Sequence, residues 1–290
     1  MTMQLAGHNA IITGASRGLG REIARALWRQ GASLLLVARS GDTLTALQRE
    51  LAAQKSASAQ SAHILAVDLA AEQAAPRIAQ EARSLWRDLH ILVNNAGIQG
   101  PIGKTWENDW AEWTATIQVN LLAPVALCRA CVPWMLERDG GAIVNLSGGG
   151  AASPRPRFSA YAAAKAALVR FSETLAQELS GTPLRVNCVA PGAMGTDMLQ
   201  ALLRAGPQAC GAKEYAQAQK ALQNSDTTLA RAAALCLFLA SPAGAGITGK
   251  LISAVWDPWE KLPERLDELE DSDIYTLRRV VPADRGKKWD

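Results

Sequence analysis

Short apolar runs alternate with longer stretches of helical period along most of this chain. Ala10-Ile11-Ile12, Ser33–Ala38, Ile64–Val67, Ile91–Val93, Ala142–Leu146, Leu184–Val189 and Leu251–Val255 are too short for helices and apolar throughout, as buried strands are. Between them, apolar residues recur at helical spacing from the glycine-rich turn to about Gln30, from Asp42 to about Gln54, from Asn108 to Glu137, from Tyr161 to about Leu179, and over 227–240. This alternation predicts an α/β protein of one domain, a doubly wound parallel sheet of about seven strands whose ligands bind at the strands' C-terminal ends. Pro124 is expected to kink the long 108–137 segment. Lys55–Ser61 is a polar, low-complexity loop. Residues 193–225 read as a mobile, partly helical cover, because Gly206, Pro207 and Gly211 interrupt an alanine- and glutamine-rich stretch. The catalytic domain is thus placed at 1–255. Residues 256–290 form an extension with an amphipathic helix at about Trp259–Glu270, expected to pack on its own or a neighbouring subunit near the substrate cleft.

Composition narrows the function by exclusion. The 290 residues are 49% hydrophobic and 20% charged with a net charge of +3, which gives no reason to invoke nucleic acid or a membrane surface. No run approaches the roughly 18 apolar residues of a membrane helix, and the N-terminus lacks a signal-peptide pattern. Five scattered cysteines suit reduced thiols in the cytoplasm. Cys128 and Cys131 lie in an apolar helical run without a second pair or a histidine to complete a metal site, so they read as packing residues and no metal is expected. Neither His8, His63 nor His90 stands beside a plausible nucleophile, which argues against a Ser-His-Asp hydrolase.

Three local patterns carry chemistry. The first strand runs directly into Thr13-Gly14-Ala15-Ser16-Arg17-Gly18-Leu19-Gly20 and then a helix, the order of a dinucleotide-binding turn. Gly14 permits the tight turn, Gly18 lets backbone approach a pyrophosphate, and Gly20 allows helix and sheet to pack closely, with the helix N-terminus facing the phosphates. Arg39 ends the second strand, where an acidic residue would favour NAD and a cation favours the 2′-phosphate of NADP, with Arg17 as a second positive charge. Asp68, Asn95 and Gly97 also fall at strand C-terminal ends, as does Ser147. Finally, Tyr161 and Lys165 stand one helical turn apart on one face. An ammonium about 4 Å from a phenol is worth roughly 4 kcal/mol at an effective dielectric near 20, enough to lower the phenol by about 3 pKa units.

Together T-G-x-x-x-G-x-G (13–20), N-N-A-G (94–97), Asn120, Ser147, Y-x-x-x-K (161–165) and P-G followed by Thr196 resemble the short-chain dehydrogenase/reductase family over about residues 5–255. The resemblance implies a Rossmann-type fold and an NADP(H)-dependent oxidoreductase, a homodimer or homotetramer interconverting carbonyl and alcohol on a small organic substrate. It makes Tyr161 the general acid or base, with Lys165 lowering its pKa and binding the nicotinamide ribose. Ser147 would hydrogen-bond the substrate oxygen, and Asn120 would hold a relay water. The cofactor set it implies is Gly14, Ser16, Arg17, Gly18, Leu19, Gly20, Arg39, Asp68, Leu69, Asn95, Ala96, Gly97, Tyr161, Lys165, Pro191, Gly192 and Thr196. The alternatives are an NAD-dependent alcohol dehydrogenase or a catalytically silent NADP-binding regulator or scaffold. Two features depart from the family pattern: the extension after Val255, and the serine, which usually stands one place nearer the tyrosine, on what is here Gly148. The Gly148-Gly149-Gly150 run would absorb the extra residue and keep Ser147 in the cleft, with Ser153 and Ser159 as rivals.

Overall fold

The computed structural model describes residues 3–55, 59–137, 140–270 and 272–289; part of the Lys55–Ser61 loop therefore lies outside the described residues. Its elements are β1 (Asn9–Thr13), α1 (Gly18–Arg29), β2 (Ser33–Ala38), α2 (Gly41–Ala53), β3 (Ala62–Ala66), α3 (Ala74–Leu85), β4 (Ile91–Asn94), α4 (Trp110–Ile117), α5 (Ala123–Leu136) and β5 (Gly141–Leu146). They continue with α6 (Ser159–Glu178), β6 (Leu184–Ala190), α7 (Asp197–Cys210), α8 (Ala212–Gln223), α9 (Ser225–Ala240), β7 (Leu251–Ser253) and α10 (Leu266–Leu269).

The seven strands form one parallel sheet in the order β3-β2-β1-β4-β5-β6-β7. Strand alternation divides the core into two layers. Ile12, Leu34 and Leu36 face a cluster that includes Ile23 and Leu27 of α1 and Leu235 of α9. Ile11, Leu35 and Val37 face Ile78 of α3 and Leu127 of α5 on the other side. Because both faces are covered, β2 is buried at every position, and this explains its unbroken apolar run. The chain reverses its winding between β1 and β4, which opens a crevice at the C-terminal ends of those strands.

The 108–137 segment deforms as a π-helical turn. It spans Gln118–Leu122, just before Pro124 at the start of α5, so it includes Asn120, the residue four back whose carbonyl the proline ring and missing N–H disturb. The expectation that no stretch is apolar enough to span a membrane is corrected. Trp110–Leu136 is one helix of 27 residues containing an 18-residue window of mean hydropathy 1.6, long and apolar enough by length and composition alone. Its inner face, including Cys128, Cys131 and Trp134, belongs to the core.

The cover is helical in pieces, since α7 is itself two helices joined across a break at Gly206, with α8 following. Only Gly206 (φ +77°) and Pro207 break α7, and Gly211 (φ +92°) separates it from α8. The extension is well packed, though not as one amphipathic helix: Trp259–Arg265 is 3₁₀, with Pro263 inside it, followed by the single turn of α10. Trp259, Leu262 and Leu269 are buried in the same cluster as α9, and the Trp259 ring lies 5.3 Å from Phe238. Further on, Leu251 N–H of β7 donates to Tyr275 O at 2.7 Å, and Leu277 N–H donates to Glu173 Oε1 at 2.6 Å. The extension thus meets the outer edge of the sheet and occupies one backbone group there, at Leu251, that would otherwise be open to strand pairing. Replacing a buried tryptophan by alanine costs about 3–5 kcal/mol, so Trp259→Ala should lower unfolding free energy by that order in urea titration. A loss below about 1 kcal/mol would mean that the extension contributes little to the fold.

Candidate active site

The glycine turn is held by a small network. Thr13 Oγ1 accepts from the N–H groups of Asn95 and Ala96, both at 3.1 Å, and Asn95 Nδ2 donates to Thr13 O at 2.9 Å and Gly14 O at 3.2 Å. Asn95 therefore acts on the shape of the turn. Gly14 has φ +65°, and a Cβ on Gly20 would stand 2.2 Å from Gly14 O, so both glycines are sterically required. Gly18 faces Thr196, whose Cγ2 would be 3.2 Å from a Cβ at that position. No acidic residue occupies the first turn of α1, and Arg17 makes no side-chain cap there, leaving the helix N-terminus open to an anion. This cradle fits the diphosphate of a dinucleotide.

The remaining cofactor candidates spread along the strand ends. Leu69 is buried, while Asp68 is exposed with Oδ1 accepting from Ala70 N–H at 3.0 Å. Arg39 is exposed at the end of β2, with no ion-pair partner among the described residues. Arg17 is instead paired with Asp197, the first residue of α7. Pro191 is buried, and a Cβ on Gly192 (φ +86°) would stand 2.6 Å from Val255 Cγ2. Ser16 is half-buried beside Arg17.

Tyr161 and Lys165 come from the first turns of α6, and both are buried. Lys165 Nζ donates to Leu146 O, the last residue of β5, at 2.6 Å and lies 5.8 Å from the centre of the Tyr161 ring. A Cβ on Gly97 would stand 3.2 Å from Asn120 Oδ1 and 3.7 Å from Lys165 Nζ, so the ends of β4 and β5, the π-helical turn and α6 converge here. Asn120 is fully buried, with its side chain engaged: Oδ1 accepts from Ile98 N–H and Nδ2 donates to Ile98 O, both at 2.8 Å. The relay expected of Asn120 thus does not draw on a free side-chain amide.

The electrostatics differ from the sequence expectation in one respect. Burial pushes the Tyr161 phenol above its ordinary value, opposed by the positive charge of Arg155 rather than of Lys165. Burial also lowers Lys165 from 10.5 to about 8, because its ammonium too has lost water.

Ser147 is buried at the end of β5, and its Oγ makes no hydrogen bond among the described residues. Ser159 is engaged, accepting from Trp113 Nε1 at 3.1 Å, and Ser153 is exposed. Gly148 abuts the phenol: a Cβ there would stand 2.3 Å from Tyr161 Oη. The hydroxyl of Tyr161 therefore fills the place a side chain at 148 would take. Sequence reasoning missed Arg155, whose guanidinium carbon lies 3.9 Å over the Phe158 ring and 5.8 Å from that of Tyr161. Its partner is Glu214 in α8, too far along the chain for any local pattern to reveal the pair.

A seven-stranded parallel sheet with a glycine turn at its first crossover and a buried Tyr-Lys pair at the strand ends defines a dinucleotide-dependent oxidoreductase class. Residues 8–206 match the short chain dehydrogenase family, and the chain belongs to it as an oxidoreductase acting on alcohol or carbonyl groups. It is 38% identical over 197 residues to a short chain dehydrogenase of Pseudocercospora fijiensis, a match covering 67% of this chain and 62% of that one. It is 32% identical to the 2-dehydro-3-deoxy-L-rhamnonate dehydrogenase (NAD(+)) of a Sphingomonas species, over 68% of this chain and 76% of the relative. A Shigella flexneri protein described as a short chain dehydrogenase and complexed with NADP superposes with a TM-score of 0.75 at 27% identity, covering 88% of this chain and 99% of that one.

The lowered Lys165 has a measurable consequence. With its folded value near 8 and an ordinary value of 10.5, the unfolded chain holds a proton over that interval that the folded protein has released. Stability contributed by this site therefore rises with pH from about 8 towards 10.5. The raised Tyr161 acts in the opposite sense above pH 10, and the buried cysteines, raised from 9.0, do so from about pH 9, so the lysine is isolated only in the difference between the protein and a variant that lacks it. Unfolding free energies of the unsubstituted protein and Lys165→Met, measured by urea titration between about pH 8 and pH 10, should diverge in favour of the former relative to their difference at pH 7. Parallel pH profiles would contradict the assignment.

Proposed function

We propose that this protein is an NADP(H)-dependent oxidoreductase that interconverts a carbonyl and an alcohol on a small organic substrate, with Tyr161 as the proton-transfer group. The observation that carries this reading is the burial of Tyr161 and Lys165 on one face of α6, at the C-terminal ends of β4 and β5. When bound in the cradle of Gly14, Gly18 and Gly20, the nicotinamide dinucleotide supplies or accepts the hydride. In carbonyl reduction Tyr161 Oη gives its proton to the substrate oxygen, and in alcohol oxidation it takes one back. Lys165, anchored on Leu146 O, holds its ammonium beside the phenol and would reach the nicotinamide ribose. Ser147 is assigned the hydrogen bond to the substrate oxygen. Its support is a buried hydroxyl without a partner among the described residues, a kind of group that needs an explanation, whereas the hydroxyl of Ser159 is engaged by Trp113. A homodimer or homotetramer fits the exposed apolar residues Trp110 and Leu122 on the helix between β4 and β5.

NADP is favoured by Arg39, which stands exposed where β2 ends, while Arg17 is committed to Asp197. The Shigella flexneri neighbour, complexed with NADP, supports this choice, whereas the Sphingomonas relative is named for NAD(+). The site residues argue against a silent regulator, which would have no use for a proton donor with a buried ammonium beside it.

Tyr161→Phe removes a proton donor and little volume, so NADPH binding should persist while turnover of a ketone panel, followed at the nicotinamide absorbance, falls below a few per cent. Retained activity would refute the chemistry. In the same assay Ser147→Ala should lower kcat by about 10²–10³, the usual cost of one transition-state donor, while Ser159→Ala stays near normal. The reverse order would transfer the role. For the cofactor, NADPH should be preferred to NADH, and Arg39→Asp should reverse the preference by about ten- to hundredfold, the worth of a charge-assisted contact. Equal kcat/KM for the two cofactors in the unsubstituted protein would count against this choice.

A further inference from the structure

Arg155 is the charged group closest to the proposed chemistry that the proton-transfer scheme leaves unused. It lies across the Gly148-Gly149-Gly150 run: a Cβ on Gly150 would meet Arg155 Cβ at 3.2 Å, and one on Gly149 would meet Arg155 Cδ at 3.7 Å. The side chain thus lies in ordinary contact along the glycine run, where the tightest neighbour for a Cβ at Gly150 is Ala162 Cβ at 2.7 Å, and its guanidinium covers Phe158 and approaches Tyr161. The cover supplies its counter-ion. Arg155 Nε and Nη2 both donate to a single oxygen, Glu214 Oε2, at 3.1 and 2.8 Å. The pair is largely removed from solvent, with side chains 17% and 27% exposed.

A second arginine joins the same loop to the cover. Arg157, at φ +73°, donates to Gln208 O at 2.8 Å and Ala209 O at 3.1 Å, near the C-terminus of α7. These carbonyl contacts tie the loop to α7 without using a carboxylate, so the cover does not need the Arg155–Glu214 pair merely to stay attached. A guanidinium kept this dry needs an anion. Its planar fork suits a carboxylate, and Glu214 engages it through only one oxygen.

We propose that Arg155 determines specificity by binding a carboxylate on the substrate, a few carbons from the reacting carbonyl, and that Glu214 is the internal carboxylate this group displaces. The inference rests on the reading of Tyr161 as the proton-transfer group and narrows its substrates to short oxo acids and the corresponding hydroxy acids. Substrate entry would exchange one Arg155 ion pair for another, with Arg157 keeping the cover attached.

The test compares 4-oxopentanoate with its uncharged methyl ester, with NADPH and with NADH, in the unsubstituted protein, Arg155→Gln and Glu214→Gln, each checked for folding by circular dichroism. The unsubstituted protein should favour the acid by tenfold or more in kcat/KM, and Arg155→Gln should bring the acid-to-ester ratio close to one. Glu214→Gln should lower KM for the acid more than for the ester, since it removes the competitor; this arm decides the matter if Arg155→Gln does not fold. A ratio near one in the unsubstituted protein, or an unchanged ratio in Arg155→Gln, overturns the proposal. Calorimetric titration separates the two readings: binding of 4-oxopentanoate that Arg155→Gln or Glu214→Gln alters, without turnover of either compound, keeps the carboxylate site and leaves the proton-transfer reading to the ketone panel with Tyr161→Phe. Neither binding nor turnover overturns the carboxylate site.

Discussion

The hydrogen bond from Lys165 Nζ to Leu146 O ties a side chain of α6 to the last peptide of β5, and the site is arranged around it. A lysine this deeply buried has lost most of its hydration, so one short bond to a carbonyl fixes where its charge sits. That bond draws the start of α6, and with it Tyr161, over the strand ends, where Gly97 and Asn120 close the group from the β4 side. The helix cannot come so near unless residue 148 lacks a side chain, because Tyr161 Oη occupies the space beside it. The glycine run and the buried lysine are thus two sides of one steric arrangement.

The same economy holds at the nucleotide end. Asn95 spends its amide on the backbone of Thr13 and Gly14, and Thr13 spends its hydroxyl on the backbone of Asn95 and Ala96. The turn between β1 and α1 is therefore braced by β4, the strand on the far side of the crevice. What is left to meet a ligand is backbone N–H at the start of α1 and the side chains that border it. The cover touches both regions, through Thr196 and Asp197 at the glycine turn and through Glu214 at Arg155. One helical segment thus borders both the glycine turn and the surroundings of Tyr161.

The extension does different work. It meets the β7 edge and adds Trp259, Leu262 and Leu269 to the layer that contains α1 and α9. Several of its charged residues pair locally, as Arg278 does with Asp273 and Asp284, while Glu260 pairs with Arg231 of α9, and such exposed pairs add little stability. The extension is held by its apolar residues, by the backbone bond to β7, and by bonds from its backbone to Glu173 and Lys250.

The sequence by itself determined the alternation of strands and helices, the parallel sheet, the glycine turn and the placing of Tyr161 and Lys165 on one helix face. Each of these is a local property: strand runs, helical period and glycine spacing are set by neighbours in the chain, and local sterics enforce them. The sequence pointed to a deformation at Pro124 but did not show that it would take the form of a π-helical turn with Asn120 bound to Ile98, because that depends on what the turned side chain meets from the β4 end. Nor could it show that burial, not the nearby ammonium, would dominate the phenol, since desolvation depends on how many elements converge on one point. Arg155 and Glu214 lie on separate elements, and nothing in the spacing of either announces the other. Such pairings exist only once the cover has folded over the sheet, and that step belongs to the tertiary structure alone.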